Sequence, residues 1–172
     1  MSETKGIVQT SVAGTYNSAS SPLYTMCRMF VSPALAAQTL IGSQANYMIA
    51  IANRESNAKM NMYHRAFVYV WRPGSGNVKT IIAPTSHGTE STTSEVGRII
   101  VATGEATNFS ILNNDRIVVE LWFDIRNTKG ANYTATDYYD GATDPLDGTA
   151  TSDAASYLRI PQEMIYYTPE KK

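Results

Sequence analysis

Asp137, Asp140, Asp144, Asp147 and Asp153 crowd one stretch of the chain. Carboxylate oxygens on a loop between strands are the donors that Ca²⁺ takes. The first four are therefore metal candidates, and Ca²⁺ is the one cofactor the residues raise. The spacing is not that of an EF-hand, because Asp140-Gly-Ala-Thr-Asp144 puts glycine and alanine where ligands belong. Aspartate and glycine are also what turns use, so a solvated turn-rich loop is the competing reading. The two histidines, His64 and His87, stand on a strand and in a polar loop, and the sequence shows no arrangement of serine or cysteine with a carboxylate around either. His64 reads as a hydrogen-bonded structural residue. Glu90 and Glu95 are paired carboxylates in the same polar loop as His87, and sequence does not give their separation. No phosphate loop, His-Glu-x-x-His motif or cysteine ligand pair is present. The residues assign no catalytic role, and the expectation is a protein that is not an enzyme.

The elements that would carry these residues read as strands. Arg65-Ala-Phe-Val-Tyr-Val-Trp-Arg-Pro-Gly-Ser-Gly76 is the densest apolar run and ends in a turn. At period two, Phe67, Tyr69 and Trp71 share one face and Ala66, Val68 and Val70 the other, so both faces should be covered. Phe67, Tyr69 and Trp71 are assigned to the core. Val78–Ala83 returns as a hairpin partner. Arg116–Arg126 alternates cleanly, with Ile117, Val119, Leu121, Phe123 and Ile125 inward. Val119, Leu121 and Phe123 complete the expected core. Leu23–Val31 is the first firm strand, with Leu23, Met26, Met29, Phe30 and Val31 read as inward. Ser32-Pro33 is a helix-like start, but Thr39-Leu40-Ile41-Gly42 favours an extended segment. Pro84–Ser94 reads as a polar loop.

Eight to ten strands with turn signals and no long helix predict an all-β fold, a sandwich or barrel of antiparallel strands. The chain of 172 residues is one domain with room for a full core. Residues 1–21 are small and polar and read as an N-terminal arm, flexible or clasping a neighbouring subunit. The sandwich should span 22–168, with a loose tail at 169–172.

A net charge of −1 with dispersed basic residues gives no pull toward nucleic acid or anionic membrane. One cysteine, Cys27, excludes an internal disulfide and reads as a buried thiol. The first residues lack a signal-peptide core, so a soluble protein made in a cytoplasm is expected. Eleven tyrosines and two tryptophans outnumber four phenylalanines. Exposed aromatics stack on sugars or fill protein interfaces. Tyr16, Trp122 and Tyr138 are the candidate interface residues.

Ser32-Pro33-Ala34-Leu35-Ala36-Ala37-Gln38-Thr39, Val68-Tyr-Val-Trp-Arg-Pro-Gly74, Asn114-Asp-Arg-Ile-Val-Val-Glu-Leu-Trp122, Tyr138-Tyr-Asp-Gly141 and Ala155-Ser-Tyr-Leu158 follow one another in linear order. This order resembles small β-sandwich structural proteins of tailed bacteriophages. The motifs are strands and turns spread between about residues 25 and 160, with no catalytic residue among them. The resemblance implies a virion component, either a capsid decoration or auxiliary protein or a fibre module. Such proteins look like jelly rolls and often form trimers. It further implies other virion proteins as partners, the major capsid protein first, and a homo-oligomer. The alternative it leaves is a fibre or receptor-binding module that recognises carbohydrate on the same fold.

Overall fold

The computed structural model describes residues 10–16, 22–126, 132–139 and 156–168. The chain is all-β and antiparallel. Its strands are β1 (Thr10–Tyr16), β2 (Leu23–Val31), β3 (Gln38–Leu40), β4 (Tyr47–Glu55), β5 (Met62–Arg72), β6 (Gly76–Ser86), β7 (Val96–Ala102), β8 (Phe109–Ile111), β9 (Arg116–Ile125), β10 (Tyr133–Tyr139) and β11 (Tyr157–Arg159). A single 3₁₀ turn, Ala58–Met60, is the one helical element among the described residues.

The strands build a sandwich. One sheet runs β2-β9-β5-β6. The other centres on β4, which pairs β7 along one side and β10 and β11 along the other, with β1 outside β10. β3 and β8 form a separate two-stranded ladder. Ile49 and Ile51 of β4 pack with Ala66, Val68 and Val70 of β5 and Ile117, Val119 and Leu121 of β9 in the main apolar cluster. Burying each such aliphatic side chain stabilises the fold by roughly 1.5–3 kcal/mol. A smaller cluster of Met60, Met62, Phe123, Ile125 and Ala135 fills one end.

The β5–β6 hairpin closes where expected. Ser75 N donates to Arg72 O at 3.0 Å, and Gly74 and Gly76 both sit at φ 77°, where a side chain would be strained. β6 is longer than the sequence suggested. It runs through Pro84 to Ser86, so the polar loop begins only at His87. The Ser32-Pro33 segment is extended rather than helical.

Three expectations change in the structure. First, Thr10–Tyr16, assigned to the arm, is an edge strand in full register with Tyr133–Tyr139. An edge strand holds by backbone pairing and needs little apolar burial, so polar composition did not exclude it. Second, Phe67 and Trp71 are not core residues. They are half-buried on the outer face of β5, while Ala66, Val68 and Val70 point inward with no exposure. Both faces of this strand are apolar, so alternation fixed the two sets but not which set faced in. Tyr69, on the same outer face, is buried, and its hydroxyl donates to Glu120 Oε1 at 2.9 Å. Val119, Leu121 and Phe123 are buried between the sheets.

The third change is in β2. Met26, Met29 and Val31 point outward, whereas Leu23 and Phe30 pack inward. The cause is a bulge between Met26 and Arg28 in the pairing with β9. Cys27 occupies it, and its thiol donates to Leu121 O at 3.2 Å. An extra residue in one strand reverses the inside–outside phase beyond it. Met26 and Met29, three apart, therefore share a face that strict alternation would deny them.

Candidate interaction face

The outer face of the four-stranded sheet is assembled by register. Tyr24, Met26, Met29 and Val31 of β2 stand opposite Asp124, Trp122, Glu120 and Val118 of β9. These residues of β9 stand in turn opposite Tyr63, Arg65, Phe67 and Tyr69 of β5. β2 is the edge strand, and its four outward side chains are 46%, 47%, 52% and 42% exposed. They form one continuous apolar row of two methionines, a tyrosine and a valine. Surface apolar residues scattered singly need no explanation, but a contiguous row marks an interaction surface.

Inward from that row the face is charged, and its charges are compensated locally. Glu120 accepts from Tyr69 Oη and, at 3.1 Å, from Trp122 Nε1. Asp124 accepts from Ser86 Oγ at 2.8 Å and pairs with Arg126 at 2.9 Å. The Arg65 guanidinium lies 4.3 Å from the Tyr24 ring centre, and that of Arg126 lies 3.8 Å from the Tyr63 ring centre. Such cation–ring contacts contribute about 0.5–1 kcal/mol at exposed sites. Burial, then the bond to Glu120, pushes the Tyr69 hydroxyl up to about 12. The face is thus apolar at its edge and electrically balanced behind it.

The residues singled out by sequence are scattered. Trp122 lies half-buried on this face, beside Met26. Tyr138 lies on β10 in the other sheet, with Arg54 5.7 Å from its ring centre. Tyr16 ends β1, also in that sheet. The three candidates therefore do not make one surface. The row on β2 was missed because the bulge at Cys27 leaves no mark in the residue pattern.

Asp137 is not a loop ligand. It faces the interior from β10, opposite Asn53 of β4, and is fully buried. Burial pushes its carboxyl well above the ordinary range, with Arg28 pulling less strongly the other way. A carboxyl held protonated inside the sandwich is a poor Ca²⁺ donor. Asp140, Asp144 and Asp147 lie outside the described residues. No group of three metal-ligating side chains occurs among the described residues. His64 faces the core on the side of Ala66 and Val68, and it is not the hydrogen-bonded residue expected, because neither ring nitrogen has a hydrogen-bond partner among the described residues. Burial pushes it down to about 3, so it stays neutral. Cys27 is a free thiol that burial pushes up, then the nearby Asp137 carboxyl. It is therefore an unreactive protonated thiol at neutral pH.

No family model matches the chain, and no curated protein matches it. Among solved structures, the one titled as the structure of infectious bursal disease virus Gx strain aligns with 81% of this chain at 7% identity and a TM-score of 0.33. The chain spans 34% of the length of that structure's chain. A likeness this slight has no weight for the function. No described helix is long and apolar enough to cross a membrane.

Proposed function

We propose that the protein is a non-enzymatic structural component of a virion, a capsid decoration or auxiliary protein that acts by binding other protein subunits. The observation that carries the reading is the exposed Tyr24-Met26-Met29-Val31 row on an edge strand. Its first occupant is a second copy of this chain. Behind the row the acids already hold their partners within the same face, so two copies can meet without bringing unpaired like charges together. The bulge in β2 disfavours simple edge-to-edge strand addition, which leaves the face as the contact. The resulting oligomer would then sit on the major capsid protein, where contacts repeated over a lattice add binding strength without new chemistry. The jelly-roll form of the sandwich, the trimer and the virion location belong to this same reading and rest on the sequence resemblance.

The structure favours protein over carbohydrate on this face. Sugar binding needs bare aromatic planes with hydrogen-bonding groups beside them. Here Tyr24 and Tyr63 each carry a guanidinium over the ring, and Trp122 Nε1 is committed to Glu120. Met29 and Val31 offer apolar surface and no donors.

The test is the solution mass of the purified chain by light scattering, with Met29→Glu beside the wild type. The wild type is expected to form an oligomer, and the variant a folded monomer with an unchanged melting temperature. A wild-type monomer at high concentration, or an oligomer indifferent to the substitution, overturns the assignment of this face.

A further inference from the structure

The side of the sandwich carries a slot that the assembly reading does not use. Its volume is about 270 Å³, part of it open to solvent. Phe30 of the edge strand β2 and Ile117 and Val119 of β9 line it from one sheet. Leu158 of β11, with Ile160 just beyond, lines it from the other. Tyr166 and Ser32 complete the lining. The Ser32 hydroxyl is already committed, since it donates to Pro33 O at 2.7 Å and accepts from Ile117 N at 2.9 Å. The slot therefore suits an apolar group that needs no hydrogen bond. It is smaller than the roughly 300–1,000 Å³ of sites for small organic ligands, and has the size for one or two side chains.

The strand ladders point to which side chain this is. β10 runs along β4 with Tyr138 opposite Ala52, which puts Tyr139 level with Ile51. β11 takes up the same antiparallel course with Tyr157 opposite Ala50. Ser156 Oγ donates to Tyr138 O at 3.3 Å where the two meet. β10 and β11 are thus successive parts of one line beside β4. β1 runs along the outer side of that line, with Thr10 opposite Tyr139. Counted back from Thr10 in the same register, Gln9 comes level with Tyr157, Val8 with Leu158 and Ile7 with Arg159.

We propose that the slot is the seat of this chain's own Ile7-Val8-Gln9, added beside β11 as a continuation of β1, with Val8 filling it opposite Leu158. Directly opposite residues of a ladder share a face. The face of Leu158 is the inner one, because Leu158 belongs to the main apolar cluster, whereas Arg159 is exposed. The register therefore assigns Val8 to the slot and Ile7 to the outer face.

The residues fit the place. Ser2-Glu-Thr-Lys-Gly6 is polar, and Ile7-Val8 that follows is a β-branched aliphatic pair of the kind strands favour. From Thr10 the chain has to advance only two residues, about 7 Å, to reach the level of Leu158. No loop has to be closed to bring it there. Among the described residues no strand runs along the outer side of Leu158 and Arg159. Seating Val8 closes the sandwich between β2 and β11, directly behind the strand whose outer side carries the Tyr24-Met26-Met29-Val31 row.

Cysteine pairs in the full chain test the register. Opposite residues alternate between Cα separations of about 5.5 and 4.5 Å, and a disulfide spans both. Val8→Cys with Leu158→Cys, and Ile7→Cys with Arg159→Cys, are the two pairs. Oxidation is expected to join them within a single chain, read on a non-reducing denaturing gel as a monomer band with Cys27 as the one remaining thiol. The second pair serves if the loss of Leu158 unfolds the protein, because Arg159 is exposed. A folded Ile7/Arg159 pair that does not close overturns the proposal. So does a disulfide formed only between two chains, which would assign the seat to the same segment of a second copy. The slot itself is tested by thermal melts. Val8→Asp puts a charge among apolar side chains and should lower the melting temperature by at least roughly 3 °C, whereas Ile7→Asp should leave it near that of the wild type. Equal melting temperatures for the two variants overturn the seating of Val8. None of these outcomes bears on the mass measurement above, because Met29 and Val31 lie on the other face of β2.

Discussion

Arg72 grips Asp115 with two parallel hydrogen bonds, Nε to Oδ1 at 2.8 Å and Nη2 to Oδ2 at 2.7 Å. The pair ties the end of β5 to the turn that opens β9. Asp115 is buried, and its Oδ2 also accepts from Leu112 N at 2.9 Å. Its own backbone carbonyl accepts from Leu35 N at 2.8 Å, so three segments meet at one residue.

Burial pushes the Asp115 carboxyl up, but the Arg72 bonds and the Leu112 amide outweigh it and hold it below the ordinary value of 3.8. A depressed folded value contributes stability that is present above 3.8 and lost as pH falls through the folded value. Asp115→Asn should cost about 1.5–3 kcal/mol at pH 7, the usual worth of hydrogen bonds to a charged group. The gap between variant and wild type should narrow as pH is lowered from about 4 to 2. Urea titrations at three pH values measure it, and a constant gap would remove Asp115 from the acid response.

The two phenylalanines of the central strands should behave very differently. Phe123 has no exposure and belongs to the smaller core cluster, so Phe123→Ala should cost about 3–5 kcal/mol. Phe67 is half-buried on the outer face, its ring 4.8 Å from that of Tyr69. Phe67→Ala should cost about 1 kcal/mol, as for a typical partly exposed site. Equal losses in chemical denaturation would contradict the inside–outside assignment of β5.

That contrast shows what a residue pattern can and cannot tell. β9 was readable because its two faces differ in polarity, with Ile117, Val119, Leu121, Phe123 and Ile125 against Glu120 and Asp124. β5 was readable as a strand but not in orientation, because Phe67, Tyr69 and Trp71 are as apolar as Ala66, Val68 and Val70. The interaction face was hidden for a different reason. Its phase depends on the bulge at Cys27, and nothing local to Met26-Cys27-Arg28 announces an extra residue in the ladder. The hydrogen bond from Glu55 N to Thr92 O joins a strand end to a segment far along the chain, and only tertiary docking brings them together. Asp137 was grouped with the acidic loop by proximity in sequence, whereas its strand turns it inward.

That inward turn makes Asp137 the residue whose removal should help. Its Oδ2 lies 3.9 Å from Cys27 Sγ, and its Oδ1 has no hydrogen-bond partner among the described residues. Burial dominates its titration, so the folded state holds the proton and the unfolded chain gives it up near the ordinary value of 3.8. A raised folded value contributes stability that is fully present in acid and is lost as pH rises toward the folded value. At pH 8 the wild type therefore carries either a protonated acid far from its free state or a buried charge. Asn has the same shape and no charge to bury, and its amide offers a donor toward Asn53. Asp137→Asn should raise the melting temperature at pH 8 by roughly 2–4 °C for each kcal/mol recovered, and bring no gain near pH 4. Thermal melts of both proteins across that range decide it. A variant less stable than the wild type at both ends would mean that the ionised carboxylate is held favourably by Arg28, whose charge is the next largest influence on it.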